Sequence, residues 1–178
     1  MRRNYKIVVS YDGSRYRGWQ KQKNTDATIQ GKLEQLLSRM AGSPVEVQGA
    51  GRTDAGVHAL GRVANGHFQT DFNCEEICEY MNHYLPEDIE ILRVCQVSDR
   101  FHSRLNAREK LYRYRIGTGS HKNVFERKYL CPLHENYDVE AMERAAGYLT
   151  GTHDFKSFCS NKKMKKSTVR TLYEIRLT

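Results

Sequence analysis

The chain has 178 residues, of which 39% are hydrophobic, and carries 29 Lys and Arg against 21 Asp and Glu for a formal net charge of +8. That length and apolar content suit one large or two small folded domains and exclude a disordered chain, while the basic excess points to a polyanionic partner, either nucleic acid or a membrane surface. No run approaches the roughly 18 apolar residues of a membrane span, Ile7-Val8-Val9 is too short for a signal peptide, and the 5 scattered cysteines form no disulfide framework, which fits a reduced cytoplasmic setting.

Residues 5–11 read as a strand, with Tyr5, Ile7, Val9 and Tyr11 on one face, broken by Asp12-Gly13-Ser14. Thr28 is a good N-cap for a helix that carries Ile29, Leu33, Leu36, Leu37 and Met40 at helical spacing and stops at Gly42. A short strand over 45–48, a glycine-rich loop and a strand over 62–69 follow. A second helix spans 73–84, with Ile77, Met81, Tyr84 and Leu85 as its stripe and Pro86 as its end, before a strand over 89–97. This β-α-β-β-α-β order predicts an α+β chain whose N-terminal domain, 1–104, is a ferredoxin-like split βαβ unit.

The pattern then restarts. Residues 110–117 read as a strand with Tyr112, Tyr114 and Ile116 on one face and Arg113 and Arg115 on the other. A helix over 138–150 carries Val139, Met142, Ala145, Ala146 and Leu149, and 171–177 reads as a last strand. The expectation is a partial second α+β domain over 105–178, similar to the first but incomplete, whose final strand exposes an edge.

The chemistry-bearing segment is Gly51-Arg52-Thr53-Asp54-Ala55-Gly56. Its glycines permit tight turns and close approach of a ligand, and one carboxylate stands beside a guanidinium and a hydroxyl. On its own such a loop fits an Asx turn, with Asp54 bonding its own backbone. A calcium loop needs several oxygen ligands at alternating positions, and here only Asp54 is acidic. A phosphate loop would end in Gly-Lys-Ser/Thr, which is missing.

The longer run 49–59, Gly-Ala-Gly-Arg-Thr-Asp-Ala-Gly-Val-His-Ala, closely resembles the active-site signature of the tRNA pseudouridine synthases that modify positions 38–40 of the anticodon arm. The order of the other matches agrees: Tyr11-Asp12-Gly13, Gly18-Trp19-Gln20, Thr28-Ile29-Gln30-Gly31, Phe101-His102-Ser103-Arg104, Tyr112-Arg113-Tyr114, Gly151-Thr152-His153-Asp154-Phe155 and Arg170-Thr171. The resemblance implies that Asp54 is the catalytic nucleophile of an isomerase and that the uracil is detached from the ribose, turned and rejoined through C5. No metal or organic cofactor is implied. It further implies that Tyr112 contacts the substrate, stacking on an extruded base, and that Arg52 binds phosphate or base, or pairs with Asp54.

The partner implied is the anticodon stem-loop of a tRNA, in a homodimer at full length and without a membrane. Family members continue beyond the position of Thr178, so a chain shortened at its C-terminus is expected. The alternatives are a catalytically incompetent RNA-binding remnant of the same fold and a general RNA-recognition module, although 61–68 lacks the aromatic spacing of the latter.

Arg15, Arg17, Lys21 and Lys23 flank Trp19 in a basic segment suited to RNA phosphates, with Trp19 itself a packing anchor. The run Lys162-Lys163-Met164-Lys165-Lys166 reads as a solvated loop, with phosphate contact the alternative. Cys74 and Cys78 share a helix face without a second pair at zinc spacing and are read as packing residues. His58, His102 and His153 are read as hydrogen-bonding or loop-fixing residues, none with a catalytic role.

Overall fold

Strand β1 of the computed structural model, which describes residues 1–118, 124–133, 137–160 and 166–178, spans Arg3–Tyr11. Its period of two sends Tyr5, Ile7, Val9 and Tyr11 into the core. Helix α1 (Ile29–Ala41) begins where the Thr28 hydroxyl accepts from the Gly31 amide and ends at Gly42, whose φ of 64° closes it in the left-handed region. Strands β2 (Val47–Gly49) and β3 (Ala59–Phe68) follow. Helix α2 (Cys74–Tyr84) is opened by an Asn73–Glu76 capping box, and β4 (Ile89–Val97) closes the unit. The strand order β2-β3-β1-β4, antiparallel throughout, is the ferredoxin-like arrangement expected from the element order. Ile29, Leu33 and Leu37 of α1 and Ile77 and Met81 of α2 cover one face of this sheet. Cys74 and Cys78 pack against the same core, and the Cys78 thiol lies 3.2 Å from the Ile91 carbonyl.

Two bulges interrupt the ladders of β1. Against β4, pairing passes from Val8–Arg93 to Val9–Ile91 and leaves Leu92 extra, so the core side of β4 changes phase from Ile89 and Ile91 to Val94. Against β3, pairing passes from Val9–Arg62 to Tyr11–Ala59, which sets Leu60 and Gly61 against Ser10 alone. Because of this second bulge β3 starts at Ala59, earlier than its alternation indicates.

The face of the sheet away from the helices carries a buried polar cluster. Asn4 donates to the carbonyls of Ser98 and Phe101, both at 2.9 Å, and Asn65 donates to Asn4 at 3.1 Å. The Ser103 amide donates to Asn65 at 2.9 Å and its hydroxyl to the Gln48 carbonyl at 2.6 Å. The segment Phe101-His102-Ser103-Arg104 is thereby fastened across β1, β2 and β3, and every buried polar group named here has a partner.

The residues group into two compact units, Met1–Arg113 and Tyr114–Thr178. In the second, β5 (Ile116–Thr118) pairs in parallel with β6 (Cys131–Leu133), and β7 (Gly151–Asp154) pairs antiparallel with β8 (Val169–Leu172). Helix α3 (Val139–Leu149) is capped by Asp138, whose carboxylate accepts from the Ala141 amide. The strand expected over 110–117 reduces to β5, since only its last residues find a partner strand, and that expected over 171–177 shifts to β8. Of the apolar stripe on α3 only Ala146 is buried. Residues 162–165 of the lysine-rich run lie outside the described residues.

Candidate active site

The loop between β2 and β3 is bounded by two hydrogen-bonded strands and pinned from below by the segment that links β1 to α1. Trp19 N–H donates to the Thr53 carbonyl at 3.1 Å, and Gly56 N–H donates to the Tyr16 carbonyl at 3.3 Å. Trp19 and Gly18 are themselves tied to the start of α1, since the amides of Ile29 and Gln30 donate to their carbonyls. Gly18 has φ of 91°, and a Cβ there would stand 2.5 Å from the Thr53 oxygen, so the approach of the two segments requires glycine. At Gly13 a Cβ would meet the Val57 carbonyl at 2.0 Å. The Gly13 amide donates to His58 Nδ1 at 3.1 Å, and the same nitrogen lies 3.1 Å from the Asp12 carboxylate. Tyr11-Asp12-Gly13, Gly18-Trp19 and the Asp54 loop, separate motifs in sequence, are therefore one interlocked surface.

Asp54 sits at the crest of this loop. Its turn is closed by its main-chain carbonyl, which accepts from the Val57 amide at 3.3 Å. The carboxylate does not close the turn, so the Asx-turn geometry is not adopted. Asp54 and Arg52 are both exposed, and among the described residues neither side chain has a hydrogen-bond or ion-pair partner. A loop with a fixed backbone and an uncommitted carboxylate leaves that carboxylate's lone pairs to an incoming group.

Below the crest lies a residue that the sequence pattern did not single out. Arg62, on β3, places its guanidinium 4.1 Å over the Trp19 ring and donates to the Gly51 carbonyl. Its other terminal nitrogen lies 3.4 Å from the Tyr11 hydroxyl, which is 3.0 Å from the Thr53 hydroxyl. Trp19 is 1% exposed, a packing anchor as expected.

Tyr112 belongs to the same compact unit and is 72% exposed. It stands on irregular chain rather than on the expected strand, because residues 110–115 find no ladder partner among the described residues. Two residues earlier, the Lys110 ammonium reaches the loop: a Cβ on Gly51 would lie 3.0 Å from it. Of the four cations around Trp19, two are engaged within the chain, Arg15 with Asp88 at 2.7 Å and Lys21 with the buried Glu34 at 3.0 Å. Arg17 and Lys23 are exposed and unpaired among the described residues. The two other histidines in family-like motifs hold local backbone: His102 Nδ1 accepts from the Arg104 amide, and His153 Nε2 lies 2.9 Å from the Thr150 carbonyl.

The far end of the pinning segment is fixed by Tyr16, whose hydroxyl donates to Asp88 at 2.6 Å. Burial, then the hydrogen bond and charge of Asp88, raise the Tyr16 phenol well above its ordinary value. A hydrogen bond to a charged partner contributes about 1.5–3 kcal/mol. Since the folded-state value is raised, that stabilisation is fully present below about pH 10, the unfolded value, and declines as pH climbs from there toward the folded one. Tyr16→Phe is accordingly expected to melt lower than the parent at neutral pH. The gap should narrow above about pH 10, as followed by circular dichroism melts of both proteins; a constant gap would mean that burial and Asp88 do not penalise ionisation of the Tyr16 phenol in the fold.

A family model described as tRNA pseudouridine synthase matches residues 7–106 and 145–178. "tRNA pseudouridine synthase A" of Bacillus sp. (strain KSM-64) is 46% identical over 172 residues, covering 97% of this chain and 70% of that protein. "tRNA pseudouridine synthase A 2" of Bacillus cereus (strain ZK / E33L) is 47% identical over 174 residues, with the same coverage. "tRNA pseudouridine synthase A 1" of Clostridium tetani (strain Massachusetts / E88) is 47% identical over 176 residues, 99% of this chain and 72% of that protein.

Proposed function

Because the chain belongs to the tRNA pseudouridine synthase family, we propose that it isomerises uridine to pseudouridine at positions 38–40 of the tRNA anticodon arm, with Asp54 as the nucleophile. The observation that carries the reading is the Asp54 carboxylate, without a partner among the described residues, on a loop whose backbone is held from both ends. The reaction breaks the C1′–N1 bond, forms a C1′–C5 bond, releases the proton from C5 and leaves one on N1. Atoms and electrons balance without an oxidant or a second substrate, so a carboxylate that keeps the uracil bound between the two bonds meets the need. Asp54 carries that role, by attack on the base or on the sugar.

The target base must leave its stack to reach the loop. Tyr112 supplies an exposed aromatic face for it, Arg52 a guanidinium one residue from Thr53, and Arg17 and Lys23 charges that are unpaired among the described residues for the backbone phosphates. Arg15 and Lys21 contribute less to that field, being neutralised by Asp88 and Glu34. A cytoplasmic setting accords with five cysteines that form no disulfide among the described residues, and a homodimer with the family resemblance. Among the described residues no helix is long and apolar enough to cross a membrane.

Unmodified anticodon stem-loop RNA carrying tritium at uridine C5 tests the reading directly, because C5 loses its hydrogen. Tritium release is expected, with the product mapped to positions 38–40. Tyr112→Ala should slow the reaction by about 10–100-fold, the worth of one base stack, while Tyr112→Phe retains most of the rate. RNA binding without tritium release would instead assign the chain a non-catalytic RNA-binding role.

A further inference from the structure

β3 turns a charged residue toward the core. Its register with Tyr5, Ile7 and Val9 puts Gly66, Ala64 and Arg62 on the helix-covered side of the sheet, and there the Arg62 Nε is buried without a partner among the described residues. An apolar residue would satisfy the packing. What the guanidinium adds is a planar fork that stacks on Trp19 while it donates to the Gly51 carbonyl and approaches the Tyr11 hydroxyl. Tyr11 extends the reach to the Thr53 hydroxyl. The residues on either side of Arg52 are therefore both tied to Arg62, one directly and one through Tyr11.

We infer that Arg62 is a positioning residue for the isomerisation: through Gly51 and the Tyr11–Thr53 pair it sets the height and direction of the loop crest that presents Arg52 and Asp54. The inference rests on Asp54 being the reacting carboxylate. Arg62 does not touch substrate, and its effect passes through main chain. A lysine keeps the charge but can neither stack flat on the indole nor donate in two fixed directions, so Arg62→Lys removes the clamp and leaves the field of the site.

The test compares Arg62→Lys, the volume-conserving Arg62→Met, Tyr11→Phe and the Arg62→Lys/Tyr11→Phe double variant of the whole chain. Hydrogen–deuterium exchange reads loop order independently of activity. Exchange at the Gly56 and Val57 amides is expected to rise about fivefold or more in each variant, with β1 and β4 amides unchanged. Single-turnover pseudouridine formation should fall about tenfold or more at saturating RNA, while the RNA dissociation constant changes less than about twofold. The double variant should be no slower than the worse single one, since both substitutions cut one chain of contacts. Unchanged loop exchange overturns the inference. So does exchange that rises equally throughout the sheet, which would mark Arg62 as an ordinary core residue, and so does an unaltered rate with a loosened loop. If the parent chain makes no product, the exchange measurement alone decides. An active Asp54→Asn would remove the functional reading, whereas an inactive Asp54→Asn beside a fully active Arg62→Lys would remove only the clamp.

Discussion

Asp54→Asn is expected to abolish pseudouridine formation, by about a thousandfold or more, while changing RNA affinity by no more than about threefold. The amide has the shape of the carboxylate but neither its charge nor its nucleophilicity. The structure makes this an unusually clean substitution. Asp54 is exposed, its side chain has no partner among the described residues, and its turn is closed by main-chain atoms. No donor is left unpaired by the change, so stability should stay within about 0.5 kcal/mol of the parent. If the surface meets RNA phosphates as proposed, removing an anion from it gives no reason for weaker binding. Tritium release, filter binding and a thermal melt on one preparation separate the three quantities. Retained activity would take the nucleophile away from Asp54.

The largest loss of stability is expected from Trp19→Ala, about 3–5 kcal/mol. Trp19 is among the largest fully buried side chains. Arg62 lies over its ring and Tyr11 lies 6.3 Å from it, while a Cβ at Gly49 would stand 2.6 Å from its indole. Truncation opens a cavity beneath the loop and strips the guanidinium of its stacking surface. Trp19→Phe should cost less, since part of the ring volume remains. Urea unfolding followed by far-ultraviolet circular dichroism measures both, and a loss below about 1 kcal/mol for the alanine variant would show that the site collapses without penalty.

The first unit was legible where local chemistry and tertiary demand agree. Thr28 and Gly42 bracket α1, Asn73 and Pro86 bracket α2, and β4 spans Ile89–Val97 as its apolar pattern requires. Legibility fails where a partner strand decides. Tyr112, Tyr114 and Ile116 alternate correctly, yet only Ile116–Thr118 pairs with Cys131–Leu133, and alternation alone cannot say whether a ladder exists. At the site, Asp54, Arg52 and Tyr112 came from contiguous motifs. Arg62 could not, because its meeting with Trp19 and Tyr11 depends on the β1–β3 register and on the bulge beside it. The pairing of Arg15 with Asp88 and of Lys21 with Glu34 was hidden for the same reason: a basic cluster in sequence does not show which charges the fold has already neutralised.

Trp19 is the chain's single tryptophan. All tryptophan emission from this protein therefore arises beneath the loop that carries Asp54, from an indole shielded from solvent with a cation 4.1 Å above its ring. Motion of the guanidinium, or water entering as the loop lifts, changes the polarity seen by the excited ring. The protein thus contains its own optical reporter of the site, and an RNA titration can be followed through it without a label.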